Sequence, residues 1–206
     1  YTYGSSDSLN MVAFGYGVTH LKEGDEVLIT LAEHASNTLP WFEVAKHTGA
    51  IIKYIDLDEE GKVTLENVKK AVTEHTKIIS LAQITNVLGH LAPIKEICNF
   101  AHEHDIIVCV DGAQSAPHHA VDVQDLDVDF FAFSGHKMCG PTGVGVLYGK
   151  YHLLEEMTPT RFGGGSNARY NSCGLVKLKN APTKFETGTP NIEGVIGLGS
   201  AIEYLQ

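Results

Sequence analysis

Short runs of β-branched and aliphatic residues alternate along this chain with stretches in which apolar positions recur every three to four residues, and that alternation predicts its elements. Strands are predicted over Glu26 to Thr30, Ala50 to Ile55, Lys77 to Ala82, Ile106 to Val110, Val128 to Phe133 and Gly143 to Tyr148. Helical patterns fill Ser8 to Tyr16, Thr38 to His47, Leu65 to Val72, Ile94 to His104 and Ile192 to Leu205. Gly49 stands where a C-cap glycine belongs, and Pro93 precedes Ile94, where proline suits a first turn. Strand and helix in alternation imply an α/β fold, with a mostly parallel mixed sheet of about seven strands flanked by helices. Such sheets take ligands outside the carboxyl ends of their strands, so the residues after each strand are where chemistry is to be sought.

Those positions carry reactive groups. The strand ending at Val110 delivers Asp111-Gly112-Ala113-Gln114, and the strand ending at Phe133 delivers Ser134-Gly135-His136-Lys137. A desolvated lysine loses its proton readily and forms a Schiff base with a carbonyl. An aspartate beside it suits a pyridine ring whose nitrogen must stay protonated to withdraw electrons, so the pair suggests pyridoxal 5'-phosphate. After Thr30 comes Glu33-His34-Ala35-Ser36-Asn37, with an imidazole to lie against a ring face; after Ala82 comes Gln83 to Gly89, in which Asn86 offers an amide. Ser5 and Ser6 lead into the first helical stretch, and hydroxyls and N–H groups at a helix N-terminus suit a phosphate. Each group has an ordinary alternative, such as an N-cap serine, a loop histidine, a turn asparagine or a capping aspartate. Their coincidence at successive strand ends favours one shared ligand.

Composition narrows the class further. The 206 residues suit one globular domain, residues 1–206. A net charge of -10 disfavours nucleic acid and anionic membrane as partners, because neither polyanion is attracted. No apolar stretch approaches the roughly 18 residues of a spanning helix, and no basic region leads into an apolar one at the N-terminus, so a cytoplasmic protein is expected. Cys98, Cys109, Cys139 and Cys173 show no C-x-x-C pair, and reduced thiols are expected. The histidines of His118-His119 and His102-x-His104 diverge on a helix and lack an acidic partner, so no metal site is expected.

The run from Val128 to Val146, with Ser134-Gly135-His136-Lys137 followed by Gly140-Pro141-Thr142-Gly143, resembles the signature of class V aminotransferase-fold enzymes. Within them the chain is most similar to the cysteine desulfurase and selenocysteine lyase branch, which mobilises sulfur for iron-sulfur cluster assembly. The stretches Glu33-His34, Asn37 to Trp41, Thr85 to Gly89, Val110 to Ala116, Val121 to Val123 and Phe185 to Asn191 extend that likeness over the whole chain. The resemblance implies the large domain of a fold type I pyridoxal-phosphate transferase. It implies that Lys137 forms the Schiff base and shuttles the α-proton, that Asp111 pairs with the ring nitrogen, and that His34 stacks on the ring. It also places Gln114 at the phenolic oxygen, Asn86 near the substrate carboxylate, and Ser5, Ser6, Ser134 and His136 at the phosphate. Gly188 and Thr189 would reach the phosphate of a neighbouring subunit, which implies a homodimer.

Relatives carry an N-terminal segment and a C-terminal small domain, so a fragment covering the large domain is expected. Desulfurases convert L-cysteine to L-alanine by passing sulfur to a cysteine on the small domain and thence to an acceptor protein. That cysteine and the carboxylate-binding arginine have no match here. Cys173 is expected in a loop, Cys139 packed behind the lysine turn, and Arg161 in a glycine-rich loop bordering the site or merely solvated. Epimerase-like, kynureninase-like and aminotransferase relatives share the Asp and Lys core, and a non-catalytic cofactor-binding module is the further alternative.

Overall fold

A computed structural model describes residues 1–206. Six strands form one sheet: β1 (Glu26–Thr30), β2 (Ile51–Ile55), β3 (Thr76–Ala82), β4 (Ile107–Asp111), β5 (Phe130–Ser134) and β6 (Gly145–Gly149), in the order β2-β1-β3-β4-β5-β6. All neighbours are parallel except β6, which runs antiparallel to β5. The predicted strands are therefore all present, within a six-stranded sheet rather than one of about seven.

Because successive side chains of a strand point to opposite faces, the sheet divides the apolar residues into two cores. Val27, Ile29, Cys109 and Phe130 join one core with Leu9 and Val12 of α1 (Ser5–Val12) and Trp41 and Val44 of α3 (Leu39–Thr48). Leu28, Val108, Val110 and Phe131 join the other with Val68 of α4 (Leu65–Ala71) and Ile97 and Cys98 of α5 (Ile94–His102). Between α1 and β1 lie a π-helical turn, Ala13–Gly17, and α2 (Val18–His20). Helix α3 ends as predicted, with Gly49 at φ 78° donating its N–H to Ala45 O.

Boundary differences have local causes. β5 starts at Phe130 rather than Val128 because the Asp129 carboxylate takes the Val108 N–H at 2.8 Å, a side chain standing in for part of the ladder. β6 starts at Gly145, which exchanges hydrogen bonds with Thr2 at 2.9 and 2.8 Å and so brings the chain start alongside the end of β5. Helix α1 accordingly begins at Ser5, three positions before the apolar pattern indicates. The short α6 (Val123–Leu126) and α7 (Tyr151–Glu156), and the antiparallel hairpin β7 (Asn167–Tyr170) and β8 (Val176–Leu178), complete the chain with α8 (Ile192–Leu205). Asn167-Ala168-Arg169-Tyr170 has neither β-branched residues nor a buried face, so the hairpin leaves no strand signature in the sequence.

The order β2-β1-β3 means the chain steps outward from β1 and then back across it. That reversal opens a crevice at the carboxyl ends of β1 and β3, the position at which open α/β sheets bind ligands.

Candidate active site

A cavity of about 210 Å³ lies at this edge, and five segments furnish its wall. His34 comes from the loop after β1, Ala82, Ile84 and Asn86 from the end of β3, and Asp111, Ala113 and Gln114 from the end of β4. Ser134, His136 and Lys137 follow β5, and Ser5 and Ser6 open α1. The structure brings Lys137, His34, Ser5, Ser6, Asn86, Asp111, Gln114, Ser134 and His136 around one space. Gly188 and Thr189 do not reach it within one chain; they line a second cavity with Tyr1, Tyr3 and Arg161.

Lys137 closes a single 3-10 turn, Gly135–Lys137. Backbone contacts hold that turn: Gly135 donates to Val144 O at 2.9 Å, and Met138 and Gly140 donate to Gly135 O at 3.0 and 2.9 Å. A Cβ on Gly140 would lie 2.8 Å from Gly135 O, so the turn closes only around a glycine there. Met138 packs into a small core with Val144 and Leu198, whereas Cys139, at φ 62°, is exposed. The expectation that Cys139 packs behind the turn is therefore corrected: the left-handed backbone turns its side chain outward while Met138 fills the space.

Asp111 is 5% exposed. Burial pushes its carboxyl above the ordinary aspartate range, against the Ala113 N–H, which reaches Oδ1 at 2.9 Å, and the charges of Lys137 and His34. Its other oxygen has no hydrogen-bond donor from the protein, so a protonated ring nitrogen would complete its bonding. His34 Nδ1 accepts the Ser36 N–H at 3.1 Å, which in the neutral ring leaves the proton on Nε2.

The anion side is equally built. Ser134 Oγ accepts the Ser5 N–H at 2.7 Å and donates to Ser5 Oγ at 3.0 Å, while Ser6 Oγ meets Ser36 Oγ at 2.6 Å. Gly4 at the N-cap position offers α1 no capping side chain of its own, and Ser134 Oγ takes the Ser5 N–H in its place. Ser5, Ser6 and Ser134 thus line the cavity at the start of α1, where hydroxyls beside a helix N-terminus suit an anion.

Arg161 neither borders this cavity nor lies free in solvent: it pairs with Asp7 at 2.9 Å and sits over the Tyr3 ring at 4.9 Å. None of the four cysteines lines the cavity. Cys98 and Cys109 are buried, which pushes both thiols up to about 12, and Cys173 is exposed at the hairpin, as its loop-like setting suggests.

The sequence profile of the class-V aminotransferases matches residues 1–206. The chain belongs to the class-V aminotransferase family. It is 51% identical over its whole length to a probable cysteine desulfurase of Halalkalibacterium halodurans, covering 50% of that protein, and 42% identical to a cysteine desulfurase of Haloferax volcanii, covering 48%. A crystal structure of a cysteine desulfurase from Escherichia coli superimposes with a TM-score of 0.96 at 44% identity, over 99% of this chain and 51% of that one. The chain spans about half the length of the curated relatives it matches. Class-V aminotransferases depend on pyridoxal phosphate, and the cavity fits that group: it is lined by the hydroxyls at a helix start, a buried carboxylate with a free oxygen, and a lysine.

Sequence reasoning assigned no role to Glu33, Asn37 or Ser80 of this class-V chain. They form a linked set between the loop after β1 and β3: Asn37 donates to Glu33 at 2.7 Å and accepts from Ser80 at 2.7 Å. The only sequence signal is the acid directly before His34, and its enclosure depends on β3 lying next to β1, which local pattern does not disclose.

Proposed function

We propose that this chain is the cofactor-binding large domain of a pyridoxal-phosphate-dependent cysteine desulfurase. The observation that carries the reading is the convergence of Lys137, Asp111, His34, Asn86 and the serine hydroxyls on one small cavity from five separate segments. When bound there, the cofactor supplies an electron sink for charge developing at the carbon next to the substrate's amine.

The residues divide the remaining work. Ser5, Ser6, Ser134 and His136 would hold the phosphate, together with the start of α1. Asp111, kept from water, would hold a proton on the ring nitrogen. His34 would support the ring, Gln114 would hydrogen-bond the phenolic oxygen, and Asn86 would serve the substrate carboxylate. Lys137 would hold the cofactor through its amine, and that amine is placed to take up and return the α-proton. The rigid turn around Gly135 and Gly140 keeps that amine in place, so little reorganisation is needed as the proton moves.

The substrate class is an amino acid bearing sulfur at the β-carbon, with L-cysteine converted to L-alanine and the sulfur passed toward an acceptor protein for iron-sulfur cluster assembly. This reading assigns sulfur acceptance to no cysteine of this chain, since none lines the cavity. A homodimer is part of it, because Gly188 and Thr189 lie outside their own chain's cavity and are available to another's. No helix is long and apolar enough to cross a membrane, in keeping with a cytoplasmic setting.

Alanine release from L-cysteine by the full-length protein tests the activity. Wild type should release alanine in proportion to bound cofactor, and Lys137→Ala should lose at least about a thousandfold in rate, since both anchoring and proton transfer go with the amine. Alanine formation undiminished in Lys137→Ala would rule the reading out.

A further inference from the structure

The anion side of the cavity is built mostly from neutral groups. Ser5, Ser6 and Ser134 supply hydroxyls, and Lys137, the one lysine or arginine in the wall, is assigned to the cofactor's aldehyde rather than to its phosphate. Directly after Ser6 stands Asp7, an acid in the first turn of α1. A carboxylate there suits an empty helix start, where it meets the positive end of the dipole. Beside a phosphate carrying nearly two negative charges it is a like charge and opposes binding.

Asp7 is not left bare. Arg161 Nη2 donates to Asp7 Oδ2 at 2.9 Å and to Oδ1 at 3.2 Å, and the Tyr3 N–H donates to Oδ2 at 3.0 Å. The Arg161 guanidinium also lies over the Tyr3 ring, 4.9 Å from its centroid. Tyr3 and Asp7 flank Gly4-Ser5-Ser6 in the chain, so Arg161 holds the serine turn from both sides. Its own loop is tied to a further segment: the Gly188 N–H donates to Gly164 O at 2.7 Å, and Arg161, Gly188 and Thr189 line the same second cavity. An ion pair whose side chains are 39% and 25% exposed adds little to stability. Its position across the serine turn points to charge rather than to folding as its use.

Resting on the cofactor reading above, we propose that Arg161 is a positioning residue for phosphate binding: by neutralising Asp7 and holding Tyr3, it keeps the serine turn at the start of α1 receptive to an anion. Arg161 acts through Asp7 and does not itself line the cavity. Removing it therefore uncovers a repelling charge instead of deleting a ligand, and a second substitution that removes the carboxylate should repair the loss.

The test is the affinity of the full-length protein for pyridoxal phosphate and for pyridoxal, which lacks the phosphate, each read by fluorescence titration. Arg161→Gln should weaken pyridoxal phosphate about tenfold and leave pyridoxal within about twofold, the effect of one uncovered charge on a phosphate roughly one helical turn away. The double variant Asp7→Asn with Arg161→Gln should recover most of that loss, and Arg161→Lys, which keeps the charge, should lose little. Equal losses for the two ligands, a double variant as weak as Arg161→Gln, or unchanged affinity in Arg161→Gln would each overturn the role and leave the cofactor reading standing. A wild type that binds neither ligand would instead sink that reading and this one with it. Asp7→Asn alone keeps the proposal open to refutation should Arg161→Gln fail to fold. With Arg161 uncompensated, it should bind pyridoxal phosphate more tightly than wild type at low salt, by a margin that shrinks as ionic strength rises. Equal or weaker binding by Asp7→Asn at low salt would overturn the proposal.

Discussion

At the scale of single residues, burial decides which carboxyls help and which hinder folding. Glu33 and Asp111 both have folded-state values raised by desolvation, so each favours the folded state while protonated and loses that advantage as pH rises. For Glu33 the contribution is whole below its ordinary value of 4.5 and fades as pH climbs through about 7, a change of about 3 kcal/mol. Glu26 behaves oppositely. Burial alone would raise it, but bonds from Lys53, Thr73 and Thr76 hold it below the ordinary range, so its contribution is lost only as pH falls. Urea denaturation from pH 5 to 8 should therefore show wild-type stability falling with pH, and Glu33→Gln should flatten most of that slope. A slope unchanged in the variant would assign the pH dependence to other groups.

At the scale of elements, the lysine turn is the feature most sensitive to a single atom. Gly140→Ala sets a methyl 2.8 Å from Gly135 O, and the backbone on both sides must yield. The fold should survive, because the two main cores lie elsewhere, but Lys137 should be displaced and cofactor affinity should fall at least tenfold, about 1.4 kcal/mol. Fluorescence titration with pyridoxal phosphate measures this, and unaltered affinity would show that the turn tolerates a side chain. What the sequence disclosed follows the same scale. The sheet strands were legible as short apolar runs, and the site was legible because β1, β3, β4 and β5 end at polar, reactive residues that share one edge of a parallel sheet. The β7–β8 hairpin was not, since its residues are exposed and bury no face. Neither was the Glu33, Asn37 and Ser80 set, nor the pairing of Arg161 with Asp7, because both depend on contacts between segments far apart in the chain.

At the scale of the whole molecule, two cavities share the residues that the family likeness would join into one site. Lys137 stands in the first and Thr189 in the second, so the proposed site is complete only if another copy brings its Thr189 to the phosphate. Thr189→Ala should then weaken cofactor retention several-fold, with the loss of one hydrogen bond to a charged group, although Thr189 does not touch its own chain's cavity. Unchanged retention in a dimeric full-length protein would confine the site to one chain. The central claim, that Lys137 is the amine to which this fold brings the cofactor, is open to a more direct measurement. The full-length protein is incubated with pyridoxal phosphate, reduced with borohydride, digested and mapped by mass spectrometry. The phosphopyridoxyl group should be found on the peptide containing Lys137 and be lost in Lys137→Ala. Labelling of other lysines with Lys137 unmodified would contradict the account.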